Sequence, residues 1–204
     1  MIFGLGASAE GSRSALQLPL VRRVREPYRG RWALPGGPLG ATESLADAAR
    51  RNLFETTGLA PRYLEQLYTF GAVERSPDER VVSIVYWALV RADEADQART
   101  TENVRWMPAD DLPPLAFDHD EIVAYALGRL RGKVEYSPIA HALLGEEFTL
   151  AELRDVYEAV LRRALDPANF RRQIEASGTV EPTGRFLAGG RHRPPRLYRS
   201  RVAP

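Results

Sequence analysis

Two sets of residues in this chain have types and spacings suited to chemistry. The first lies in GGPLGATESLADAARRNLFETTGL, residues 36–59, where a pair of glycines is followed by Glu43, Arg51 and Glu55. The backbone of Gly36 and Gly37 can approach a ligand closely because no Cβ intervenes. Arg51, with Arg22, Arg23 and Arg75 elsewhere in the first half of the chain, can supply charge-assisted hydrogen bonds to a diphosphate. Trp32 is either a core aromatic or a platform on which a base stacks. The second set lies in DPANFRRQIEASG, residues 166–178. Asparagine pairs bidentately with adenine, and arginine with guanine, in the major groove. Asn169, Arg171, Arg172 and Gln173 therefore have the chemistry of a base-reading helix, or of a plain solvated helix face.

Elements must hold these residues in place. Residues 16–24 and 80–90 are rich in branched and aromatic side chains between turn formers, which predicts strands. Residues 36–40 are a loop. Residues 43–57 are expected to form a helix capped by Thr42 and Gly58, with Leu45, Ala48, Ala49 and Leu53 on one apolar face. A second helix is expected over 118–131, with Ile122, Tyr125, Ala126 and Leu130 inward and its end near Gly132. Three short helices follow at 138–144, 150–163 and 167–176, the last two capped by Thr149 and Asp166. Phe170 and Ile174 form an i,i+4 apolar pair facing the preceding helix, which sends Arg172 outward. Residues 178–200 read as a hairpin whose Gly189-Gly190 and Pro194-Pro195 shape a tip. Arg191, His192, Arg193 and Arg196 on it can reach phosphates or a minor groove. The texture changes between 131 and 137, so the expected domains are 1–133 and 137–204.

Composition limits the classes available. A chain of 204 residues, 44% hydrophobic, can bury one good core or one core plus a small module. With no cysteine there is no disulfide framework and no thiolate metal site. The absence of a long apolar run argues against a membrane partner, and the start lacks a charged leader, so a soluble cytoplasmic protein is expected. The net charge of +1 hides an asymmetry: residues 1–146 hold 17 Lys+Arg against 20 Asp+Glu, and residues 147–204 hold 11 against 7. From Pro182 onward there are six arginines and no acid. Such an end suits a polyanion, or is a solvated tail. Because Lys133 is the only lysine, the choice of arginine says less than its position.

Gly37, Glu43, Arg51, Glu55, Gly58 and Leu59 resemble the Nudix box, G-x5-E-x7-R-E-U-x-E-E-x-G-U with U apolar. In that family the loop and helix hold divalent metal against a diphosphate linked to another moiety, and water attacks phosphorus. Three acids at positions 52, 55 and 56, read as one face opposite Leu45, Ala49 and Leu53, would converge on the ion. Here those positions are Asn52, Glu55 and Thr56. No catalytic or metal-ligating residue is therefore assigned, and no enzyme activity is expected. The runs RRVREPYRGRWALPGG and LYTFGAVERSPDERVVSIVY resemble the branch that handles ADP-ribose, with Arg75-Ser76-Pro77-Asp78 departing from its Arg-Asp-Pro-Arg.

With LAFDHDEIVAYALGRLRGKVEYSPIAHALL and FTLAELRDVYEAVLRRALDPANFRRQIEASG added, the chain from Leu16 to Arg201 resembles the Nudix-related transcriptional regulators of NAD metabolism. The resemblance implies an α/β fold, an α+β Nudix sandwich with a mixed sheet between helices, followed by a winged helix-turn-helix. It implies a homodimeric repressor on palindromic double-stranded DNA operators of NAD biosynthesis or salvage genes, released by ADP-ribose or a related nucleotide, with no cofactor required. The expected effector set is Arg22, Arg23, Trp32, Gly36, Gly37, Arg51, Glu55 and Arg75. The alternative is a Mg-dependent ADP-ribose or nucleotide-sugar pyrophosphatase with an accessory basic domain, for which glutamates at 52 and 56 would be expected. An RNA-binding role is disfavoured by the lack of an exposed aromatic ladder in the second module.

Overall fold

The computed structural model describes residues 1–7, 14–61, 63–98, 100–188 and 194–201. The chain divides into two compact units, Met1–Gly6 with Leu16–Arg129 and Ala7–Ala15 with Leu130–Pro204. The first is built on a six-stranded sheet of β1 (Ile2–Ala7), β2 (Ser14–Arg22), β3 (Trp32–Ala33), β4 (Tyr63–Phe70), β5 (Ser83–Leu89) and β6 (Val104–Pro108). The order is β3-β2-β1-β5-β4, and β6 pairs with β2. β1 runs parallel to β5 while β4 and β5 are antiparallel, so the sheet is mixed. Trp87, Ala88, Leu89 and Val90 are buried in succession. Four consecutive buried residues mean that this central strand is covered on both faces.

Helix α1 (Leu45–Thr57) starts two residues later than expected. Its N-cap is Ser44, whose Oγ accepts the Asp47 N–H at 3.2 Å, and not Thr42. The cause is Glu43, which is drawn back into the loop by the Gly40 N–H at 2.6 Å. Gly58, at φ 75°, closes the helix as expected, with its N–H on the Phe54 carbonyl. After the short α2 (Ala92–Asp96), α3 spans His119–Tyr136 and passes the expected stop at Gly132. Ile122, Ala126, Leu130 and Val134 are all buried at four-residue intervals. That stripe outweighs the cost of about 1 kcal/mol for a helical glycine. Tyr125, expected inward, is exposed and packs on Tyr68 and Phe70 at centroid distances of 5.1 and 5.8 Å.

The second unit holds a 3-10 turn at Pro138–Leu143, α4 (Leu150–Leu161), α5 (Pro167–Ser177) and an antiparallel pair, β7 (Val180–Phe186) and β8 (Arg196–Ser200). Thr149 and Glu152 form a reciprocal capping box on α4, and Asp166 caps α5 with Pro167 at its first position. α4 ends at Leu161 because Arg162 turns left-handed, φ 53°, and the Glu158 carboxylate accepts the Leu165 N–H at 2.8 Å. Phe148, Leu153, Phe170, Ile174, Val180 and Tyr198 form the core, which fixes α5 against α4 and the strand pair. Arg191, His192 and Arg193 lie outside the described residues. Among the described residues no helix is long and apolar enough to cross a membrane.

Each unit holds a histidine largely out of water, His119 half-buried and His141 buried. Burial pulls the pKa of His119 and of His141 from 6.5 to about 4. A base whose folded pKa is depressed is neutral in both states above pH 6.5, and below that the unfolded chain takes up the proton first. Stability is therefore fully present above pH 6.5, falls as pH drops, and stops falling near pH 4. Between pH 7.5 and 5 each histidine is expected to remove about 2 kcal/mol. Urea unfolding across that range, with His141→Phe flattening part of the slope, measures it.

Candidate functional site

The first unit has an open cavity of about 490 Å³, walled by the 34–39 loop, one face of α1, residues 81–86 at and within the start of β5, and His119 and Ile122 of α3. Gly36 and Gly37 line it as expected. A Cβ on Gly37 would fall 2.2 Å from Asn52 Oδ1, so any other residue there would have to displace the Asn52 side chain. Asn52 also lines the cavity, which corrects the expected facing of α1. At ~100° per residue, positions 52 and 56 point within about 20° of Leu45, on its own side and not opposite it. Asn52 Nδ2 donates to the Ala48 carbonyl at 2.9 Å, and Thr56 Oγ1 to the Asn52 carbonyl at 2.8 Å. Both side chains are thus turned back onto their own helix.

Arg51 holds the loop. Its Nε and Nη2 donate to the two Glu43 carboxylate oxygens at 3.0 and 2.7 Å, and Nη2 also to the Pro38 carbonyl at 3.1 Å. Glu55 lies 3.4 Å from Nη1 and is exposed. The Arg51 hydrogen bond, with the Gly40 N–H, lowers the Glu43 pKa to about 2. This fork closes the 36–43 segment onto α1, so neither Arg51 nor Glu43 lines the cavity. The residues present do not fit a catalytic divalent metal ion of the kind the Nudix box implies. Glu43 is committed to Arg51, Asn52 and Thr56 are neutral, and Glu55 is exposed and pairs with the same arginine. No group of three His, Asp or Glu among the described residues could hold an ion.

The other expected effector residues are also engaged within the protein. Arg22 Nε donates to the Gly30 carbonyl at 3.3 Å, and Arg23 Nε to that of Pro27 at 2.7 Å, with its guanidinium 4.6 Å from the Phe117 ring centroid. Both shape the turn between β2 and β3. Trp32, half-buried, pairs with Arg22 across the two strands and lies under Arg105 at 5.9 Å. Arg75 is buried and forks onto Asp118, with Nε and Nη2 each 2.8 Å from a carboxylate oxygen and Nη1 2.8 Å from Ser83 Oγ. None of the four lines the cavity. Ser83 and His119 do. Neither was singled out by the sequence, where His119 entered only as part of LAFDHDEIV.

In the second unit Asn169, Arg171, Arg172 and Gln173 are exposed along α5. Arg172 Nη2 donates to Asn169 Oδ1 at 2.7 Å, which sets the two as one polar unit. Arg171 Nε donates to Glu175 at 3.1 Å, and the same carboxylate accepts the Tyr198 hydroxyl from β8 at 3.0 Å. Arg171 and Arg196 face each other across a cleft of about 280 Å³ with Phe186, Pro194 and Pro195. The arginine-rich end is less basic in the fold than in the chain. Arg185 pairs with Glu147 at 3.0 Å, and Arg199 and Arg201 with Glu181 at 2.5 and 3.7 Å. Among the described residues of α5 and the strand pair, Arg172 and Arg196 stand in none of these ion pairs, while Arg171 is held by Glu175.

A glycine loop entering a helix on a mixed sheet, followed by a helix pair and a two-stranded wing, defines a two-part protein of effector-domain and winged-helix type. The NUDIX domain model matches residues 10–126, and the NrtR DNA-binding winged helix domain model matches residues 140–200. The chain belongs to the family of Nudix proteins that carry the NrtR winged helix domain. It is 35% identical over 189 residues, 90% of this chain and 75% of the relative, to the ADPR responsive transcriptional repressor NtrR of Acinetobacter baylyi. Shewanella oneidensis NrtR complexed with a 27mer DNA has a TM-score of 0.82 at 32% identity, covering 98% of this chain and 91% of that one. The NUDIX domain of that protein complexed with ADP ribose has a TM-score of 0.52 at 31% identity, covering 63% and 84%. An ADP-ribose pyrophosphatase of Methanocaldococcus jannaschii is 33% identical over 104 residues, 51% of this chain and 62% of the relative.

Proposed function

We propose that the protein is a homodimeric transcriptional repressor that binds palindromic operators of NAD biosynthesis or salvage genes and releases them on binding ADP-ribose. The observation that carries this reading is the state of α1. A glycine-lined cavity is retained while Asn52 and Thr56, at the positions of metal-binding acids, bond their own helix. A sensor needs its ligand to persist, and a site without a metal-binding face leaves the diphosphate intact. Asn169, Arg171, Arg172 and Gln173 read bases, while Arg196 and the wing residues Arg191, His192 and Arg193 hold backbone phosphates. A dimer follows because one winged helix reads few base pairs, and a twofold pair matches a palindrome. The pyrophosphatase relative favours a second reading, hydrolysis of ADP-ribose, against which the donor set of α1 stands.

Electrophoretic mobility shift on DNA upstream of NAD genes, with and without ADP-ribose, tests the proposal. Binding in its absence and release in its presence are expected. Arg172→Ala should weaken specific binding by about 1–3 kcal/mol and relax preference at one base per half-site. Arg196→Ala should weaken all sequences alike and reduce the salt slope. Equal behaviour of the two variants across operator sequences would refute the assignment of helix to bases and wing to backbone. Linkage also requires saturating operator to weaken ADP-ribose binding by the factor with which ADP-ribose weakens operator binding.

A further inference from the structure

The cavity wall includes a side chain whose protonation is set from within the protein. His119 opens α3, and its Nδ1 accepts the backbone N–H of Leu34 at 2.9 Å. A ring nitrogen that accepts carries no proton, so the neutral imidazole bears its proton on Nε2. Burial keeps the ring neutral by lowering its pKa to about 4. Among the described residues Nε2 makes no hydrogen bond, although the ring lines the cavity. Its neighbours are bonded to one another. Arg75 holds the adjacent Asp118 and also Ser83 Oγ, and the Phe117 ring lies 5.5 Å from the imidazole.

We propose that His119 is an effector contact, donating Nε2–H to an oxygen of the bound ligand while its Nδ1 ties the glycine loop to α3. The inference rests on the reading that the cavity takes ADP-ribose. Its second support is elimination among the donors first expected to meet that ligand. Arg22, Arg23, Arg51 and Arg75 are all engaged within the protein and stand off the cavity wall. Recognition then depends on the glycine backbone and on neutral donors at Ser83 and His119. Because one imidazole meets both the loop and the ligand, a bound oxygen acts on the same ring that joins Leu34 to the start of α3.

Two substitutions separate the roles. His119→Gln supplies an oxygen for the Leu34 N–H and an amide N–H for the ligand. His119→Glu supplies the oxygen and no donor at pH 7, and it adds a charge that repels a diphosphate with or without the contact, so its loss is read together with the Nε2 resonance. In calorimetric titration of the full chain with ADP-ribose, the wild type and His119→Gln should agree within about threefold, and His119→Glu should lose roughly tenfold or more. Long-range 1H–15N NMR of the wild type reports on the same contact without substitution: the Nε2–H tautomer is expected, with its resonance shifted on saturation. Equal affinities of His119→Gln and His119→Glu, or an Nε2 resonance unmoved by saturating ligand, would overturn the contact and leave the effector reading standing. No binding of ADP-ribose by the wild type would overturn the effector reading, and this inference with it.

Discussion

Arg75→Ala is expected to destabilise the protein by about 3–5 kcal/mol, because it leaves a carboxylate that is largely out of water without its partner. Arg75 is 7% exposed, and three of its guanidinium nitrogens are bonded, two to Asp118 and one to Ser83. Its charge is compensated in place, so what the substitution exposes is the unpaired Asp118 and not a weakened ligand site. Arg75→Met combined with Asp118→Asn removes both charges together. It should recover a large part of the loss, since the penalty belongs to the uncompensated ion and the pair itself contributes little net energy. Urea unfolding of the three proteins measures the difference. The ligand-clamp role expected from sequence makes the opposite demand, namely unchanged stability with ADP-ribose affinity alone reduced. A loss below about 1 kcal/mol for Arg75→Ala would restore that role.

The contrast between those two readings of Arg75 shows where sequence reasoning stopped. Three caps were legible because they are local: Thr149, Asp166 and Gly58 each act within four residues of themselves, whereas the expected Thr42 gave way to Ser44 at the start of α1. The partner of an arginine is not local. Asp118 stands 43 residues from Arg75 and Glu147 stands 38 from Arg185, so residue type could say what a guanidinium binds but not what already binds it. The same limit applies to the basic end, where Glu147 and Glu181 return charge to a stretch that holds no acid in sequence. Some strands were illegible for a different reason. β1 is glycine-interrupted, β3 is two residues long and β4 carries polar residues on an edge; pairing, not propensity, makes them strands. The facing of Asn52 and Thr56 was different again. It is fixed by helical arithmetic alone, and the expectation placed them on the wrong side of α1. His119 was out of reach, because its place in the cavity depends on α3 lying beside the 34–39 loop.

Incubated with ADP-ribose and Mg²⁺ or Mn²⁺, the protein is expected to turn over orders of magnitude below ~1 per second. A divalent ion contributes several kcal/mol to phosphoryl chemistry, and each ~1.4 kcal/mol is tenfold in rate. The Asn52 carboxamide beside the cavity and the Thr56 hydroxyl one turn on are all that α1 offers the ion at these positions, and both already donate to helix carbonyls. Glu43 cannot be recruited cheaply, since Arg51 and the Gly40 N–H hold both of its oxygens and the whole loop would loosen with it. Asn52→Glu with Thr56→Glu removes two donors that bond the helix backbone and places three carboxylates within about one turn, counting Glu55. Divalent cations should then raise the melting temperature of the double variant and leave that of the wild type unchanged, because an ion stabilises only a fold that binds it. Nucleoside monophosphate release by the wild type at ~1 per second or faster would establish the hydrolase reading and remove the ground for a persistent effector.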